Sequence, residues 1–121
     1  MKTGITATER PEPPKGLTDD QANEWRAVVN RMPAEWFPRE THALLAQYCR
    51  HVVSAQHVAE IIEKLWSSDD FSLETFDQLL RMQEREGRAL SSLATRMRIT
   101  QQSRFSHRKR TGPRIPAPWQ H

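Results

Sequence analysis

Two long segments of this chain repeat apolar residues at alternating spacings of three and four, and a break of only six residues separates them. No other feature limits the fold as much. In the first segment, from about Arg39 to Trp66, the stripe is Leu45, Tyr48, Val52, Ala55, Ala59, Ile62 and Trp66, with Leu44, Val58, Ile61 and Leu65 widening one flank. In the second, from about Leu73 to Arg98, it is Leu73, Phe76, Leu80, Gln83, Gly87, Leu90, Ala94 and Met97, with Leu79 and Leu93 beside it. Such spacing puts one stripe of a helix against a partner. The break, Ser67 to Ser72, offers Ser72 as an N-cap with Glu74 in the first turn. So short a loop makes the two rods antiparallel neighbours. Some 28 residues at 1.5 Å each give a rod of about 40 Å. Gly87 costs about 1 kcal/mol relative to alanine inside a helix, which points either to close approach of another backbone or to a kink.

A shorter helix precedes the pair. Thr18-Asp19-Asp20-Gln21 matches a capping box, and Ala22, Trp25, Val28, Val29 and Met32 follow at helical spacing until Pro33. The stiff corner from Pro33 to Pro38 carries Trp36 and Phe37, expected to plug the end of a helix pair. The expected fold is all-α: a short N-terminal helix, then a long antiparallel hairpin. Three regions are expected: a flexible, proline-containing arm over 1–16, a helical oligomerisation domain over 17–99, and a basic, largely disordered tail over 100–121.

The first helix, about 20 Å long, covers only about half of a 40 Å hairpin. Copies of the same chain are the simplest cover, so a homo-oligomer is expected. Its core and interface are read as Leu45, Tyr48, Val52, Ile62, Trp66, Phe76, Leu80, Gly87 and Leu90.

Charge is segregated along the chain. From Arg96 onward there are Arg96, Arg98, Arg104, Arg108, Lys109, Arg110 and Arg114 and no acid, a balance of +7. The rest holds 11 Lys or Arg against 15 Asp or Glu, a balance of −4. A basic run of this kind attracts polyanions, and these seven residues are the candidate contacts to double-stranded DNA. Phe105, among them, either packs on the body or stacks on a base. Beyond them, Ile115-Pro-Ala-Pro-Trp119 is a stiff segment ending in an aromatic, suited to docking on a partner through Ile115 and Trp119.

Catalytic apparatus is not visible. The four glycines build no phosphate loop, so no ATPase is expected. The acids Asp69, Asp70, Glu74 and Asp77 are read as a polar loop and a helix start favoured by the dipole, not a metal site. His42 and Cys49 lie about 10 Å apart along a helix, too far to share an ion. His51 and His57 point to different faces and are read as solvated or interfacial. No cofactor, no metal and no enzyme activity are expected. With one cysteine, no intrachain disulfide forms. No signal-like leader or membrane span is read in the sequence, and a cytoplasmic location is expected.

Several pieces together resemble one family. Pro13-Pro14-x-x-Leu17 comes before the first helix and Trp25 within it; Leu44-Leu45-x-x-Tyr48-Cys49 and Leu93-Ala94-x-x-Met97-x-Ile99-Thr100-x-x-Ser103-Arg104 follow in order. Over Pro13 to Arg104 the chain resembles the short terminase small subunits of tailed phages. It departs from them at Gln101, where a proline is common, and in the brevity of the Ser67–Ser72 loop. The resemblance implies a ring of identical subunits, in a host cell's cytoplasm, that binds viral DNA and delivers it to the large terminase subunit. That large subunit carries the ATPase and nuclease. The rival reading is a small helix-turn-helix transcriptional regulator, with Arg39, Thr41, His42 and Gln47 reading bases. A third is an adaptor whose tail binds acidic protein surfaces.

Overall fold

The computed structural model describes residues 9–110, with side chains described as far as Arg98. Among them the chain is all-helical. Helix α1 spans Asp19–Asn30, a 3-10 turn spans Arg39–Thr41, α2 spans His42–Trp66 and α3 spans Leu73–Arg110.

The capping box forms as the sequence requires. The Gln21 amide donates to Thr18 Oγ1 at 3.3 Å, and the Thr18 amide donates to Gln21 Oε1 at 3.0 Å. Asp19 and Asp20 occupy the first turn, at the positive end of the dipole. The other end of α1 is closed from outside the helix. Arg10 donates from Nε to Val29 O at 3.2 Å and from Nη2 to Met32 O at 2.9 Å. A cation there meets both the carbonyls of the helix end and the negative end of the dipole. Trp25 Nε1 donates to Pro11 O at 2.9 Å. The arm expected to be flexible over 1–16 is therefore corrected from Arg10 onward: its backbone and one guanidinium are tied to α1. Residues 1–8 lie outside the described part.

Two apolar clusters hold the body. The first joins all the segments at the open end of the hairpin: Trp25, Val29, Phe37, Leu45, Ala46, Cys49 and Met97 are buried together. Trp25, Leu45 and Cys49 are completely enclosed. Phe37 plugs this end, as expected of the corner, whereas Trp36, expected to join it, stays 38% exposed. The second cluster lies near the turn, where Val58, Ile62 and Leu79 are buried with Leu65 and Phe76 packed against them.

Between the clusters the contact is polar. His51 Nδ1 meets Glu86 Oε1 at 2.5 Å, and Ser54 Oγ donates to Glu86 Oε2 at 3.2 Å. Together these pairs fix the hairpin as antiparallel. Leu44, Tyr48, His51, Val58, Ile62 and Leu65 on α2 and Phe76, Leu79, Glu86 and Met97 on α3 mark the seam, and their register carries it through Ala55, Leu90, Leu93 and the exposed Gln83. Both series alternate by three and four, the spacing of knobs-into-holes packing.

Helix α3 does not end at Arg98. It continues to Arg110 and is 38 residues long against 25 for α2. Those 13 extra residues carry it about 20 Å beyond the start of α2. The expectation of an irregular tail from residue 100 is corrected over 100–110. That stretch has no apolar period for a sequence pattern to detect. It also lacks glycine and proline, which first appear at Gly112 and Pro113. Extending a helix that tertiary contacts have already nucleated costs little, and Arg, Lys and Gln propagate it well.

Candidate nucleic-acid interface and its supporting faces

The basic residues divide by position. Arg96 and Arg98 lie in the exposed part of α3 just before the extension. Arg104, Arg108, Lys109 and Arg110 fall on the helical backbone of the extension itself. Arg114, Ile115 and Trp119 lie outside the described residues. A helical rod presents its charges at fixed 1.5 Å steps, whereas an irregular tail does not. Cations in the last turns also favour the helix, since they face its negative end. Sequence reasoning found the residues and missed the helix that carries them; the run of good helix formers free of Gly and Pro was the available signal.

The core and interface residues fall into two groups. Tyr48, Ile62, Phe76 and Leu90 belong to the α2–α3 seam, all but Ile62 only partly buried. Leu45 is fully buried, but in the cluster around Trp25 and Cys49. Val52, Trp66, Leu80 and Gly87 sit one residue beyond the seam. Trp66 is 59% exposed and Leu80 40%. A Cβ built on Gly87 meets nothing within 4 Å. Among the described residues, no other segment therefore approaches Gly87 closely. Ala46 and Val53, which the sequence pattern passed over, are buried.

The cause of the shift is a polar pair. His51 and Glu86 occupy seam positions, and a search for apolar stripes steps past both to Val52 and Gly87. A step of one residue turns a helix by about 100°. The stripe read from sequence is thus real, but part of it is a second face beside the seam.

The tempting metal and base-reading residues are accounted for. Thr41 is completely buried, and its Oγ1 donates to Pro38 O at 2.7 Å. His42 is half-buried, with Nε2 3.0 Å from Phe37 O and its ring edge-on to Trp25 at 5.6 Å. Because a carbonyl only accepts, Nε2 carries the proton. Two of the four residues needed by a helix-turn-helix reading are thus engaged within the corner itself. His57 is exposed beside a shallow polar depression with Asp20, Glu24 and Glu60. Among the described residues no group of three His, Cys, Asp or Glu is placed to hold a metal ion. Cys49 is a core residue: burial first, and the Glu24 carboxylate second, push its thiol up to about 12. No helix among the described residues is long and apolar enough to cross a membrane.

What the arrangement offers chemically is charge and surface: a basic rod at one end of the hairpin, and an acidic loop and helix start at the other. A comparison with protein-family models, curated proteins and solved structures finds no match for this chain.

Proposed function

We propose that the protein is a self-assembling DNA-binding component of viral genome packaging, of the terminase small subunit type. In this reading it binds double-stranded DNA and hands it to a large terminase subunit that supplies the ATPase and nuclease. It has no catalytic role of its own. The observation that carries the proposal is the continuation of α3 to Arg110, which sets an acid-free run of cations on a rod beyond the packed body. Arg104, Arg108, Lys109 and Arg110, helped by Arg96, Arg98 and Arg114, contact phosphates. Most of the affinity is counterion release, which is steep in salt and indifferent to base sequence.

Assembly gives this weak contact its strength. Several rods on one duplex act at high effective concentration, so avidity exceeds the affinity of one copy. The closed form is the ring that the terminase resemblance implies. Ile115 and Trp119 dock on the large subunit. The regulator reading is disfavoured by the burial of Thr41 and the engagement of His42.

The test is the triple variant Arg108→Ala, Lys109→Ala and Arg110→Ala of the full chain. At moderate salt its affinity for a labelled duplex is expected to fall at least about ten-fold, with native mass unchanged. Unaltered DNA affinity would remove the basis for the proposal. For the partner contact, deleting residues 115–121 is expected to abolish binding to the large subunit and leave DNA binding nearly intact.

A further inference from the structure

The residue that follows a seam position lies about 100° further round its helix. Since α2 and α3 share a hand but run oppositely, these following positions turn to the same side of the hairpin. On that side one heptad position holds Ala59 and Trp66 from α2, and Leu73, Leu80, Gly87 and Ala94 from α3, all apolar or small at seven-residue spacing. The other following position, further from the seam, holds the polar Gln56, Glu63, Asp77, Glu84, Ser91 and Arg98. The positions preceding the seam, on the opposite side, include Arg50, His57, Lys64, Gln78, Arg85 and Ser92, all polar and exposed, together with the exposed apolar Ile61 and Met82. The hairpin therefore has one mainly polar side and one side on which a heptad position is apolar or small. Within the chain that side is poorly covered: Leu73 is 72% exposed.

We infer that this side is covered by the same side of a second copy, the two hairpins lying antiparallel in a four-helix arrangement. The inference deepens the assembly part of the proposed function and rests on it. Three observations select a second copy. A seven-residue period on two adjacent helices fits a partner with that period on two helices, and this chain has it. The open Gly87 permits close approach of another backbone, which no described residue of its own chain uses. The ends of the hairpin are opposite in charge: Asp69, Asp70, Glu74 and Asp77 stand at the turn with no base from 67 to 80, while α3 from Arg96 to Arg110 has six bases and no acid. Antiparallel hairpins set each acidic turn beside a basic rod. Parallel ones would set like charges together. A two-fold contact closes on itself, so this pairing gives a dimer, and a ring would add a further contact between dimers.

The experiment is sedimentation of the full-length chain over a concentration series, with helix content followed by circular dichroism. Leu80→Lys and Gly87→Leu are compared with Met82→Lys, an exposed residue on the opposite side. The wild type is expected to associate. Both face variants are expected to raise the concentration of half-association at least ten-fold, with helix content kept, and Met82→Lys to leave it unchanged. Gly87→Leu favours the isolated helix, so its loss of association is not loss of folding. Association is also expected to weaken with salt; insensitivity to salt would overturn the antiparallel alignment. Face variants that associate like the wild type, or a Met82→Lys that disrupts equally, would overturn the face while the assembly reading stood. A wild type that stays monomeric would overturn both. DNA affinity, measured on the same samples, reports on the nucleic-acid proposal alone.

Discussion

The two ends of the hairpin are built differently. At the open end α1, the corner, α2 and α3 converge, and Trp25, Leu45 and Cys49 are sealed from solvent. At the turn only two helices meet. There Trp66 lies 5.4 Å from the Phe71 ring and 5.0 Å from the Phe76 ring, and Trp66 and Phe71 remain exposed. One end is a finished core with its polar atoms paired. The other is an aromatic cluster with water on one side. On the proposed assembly, stability and association are seated apart, so each can be broken without the other.

The contrast is sharpest for Trp25→Ala. It empties a fully enclosed site and removes the Nε1 bond to Pro11, and is expected to cost about 3–5 kcal/mol of stability in urea unfolding. Leu79→Ala, in the smaller cluster near the turn, is expected to cost about 2–3 kcal/mol. A loss at Leu79 equal to that at Trp25 would mean that the two ends are equally closed. Glu86→Ala tests the boundary between them. It removes the shared partner of His51 and Ser54 and is expected to cost about 1 kcal/mol, since both are reached by water. The smallest effect concerns Cys49. Its thiol is raised by burial, so the stability it contributes is fully present below the ordinary thiol range and is lost as pH rises toward about 12. At pH 8 the native protein is expected to resist alkylation until it unfolds, and rapid labelling at native stability would contradict an enclosed open end.

Much of this was legible in the sequence. The Thr18–Gln21 box, Pro33, the plug at Phe37 and the six-residue turn are local signals, and each element begins where they say. The seam was displaced because His51 and Glu86 satisfy each other across helices, a pairing that no single-helix pattern reveals. Arg10 and Pro11 looked like part of a free arm, since a guanidinium on helix-end carbonyls and an indole on a proline carbonyl are tertiary bonds. The extension to Arg110 escaped because amphipathic period marks only packed helix. The cations of the candidate interface, by contrast, were visible from charge alone; their rod-like support was not.

The proposal that the basic half of α3 holds DNA is tested most directly by the salt dependence of duplex binding, for the wild type and the Arg108, Lys109 and Arg110 triple variant. With phosphate contacts at these residues, log affinity falls linearly with log salt, and the variant loses about 0.9 from the slope for each contact removed. Slopes that are equal, or an affinity insensitive to salt, would contradict it.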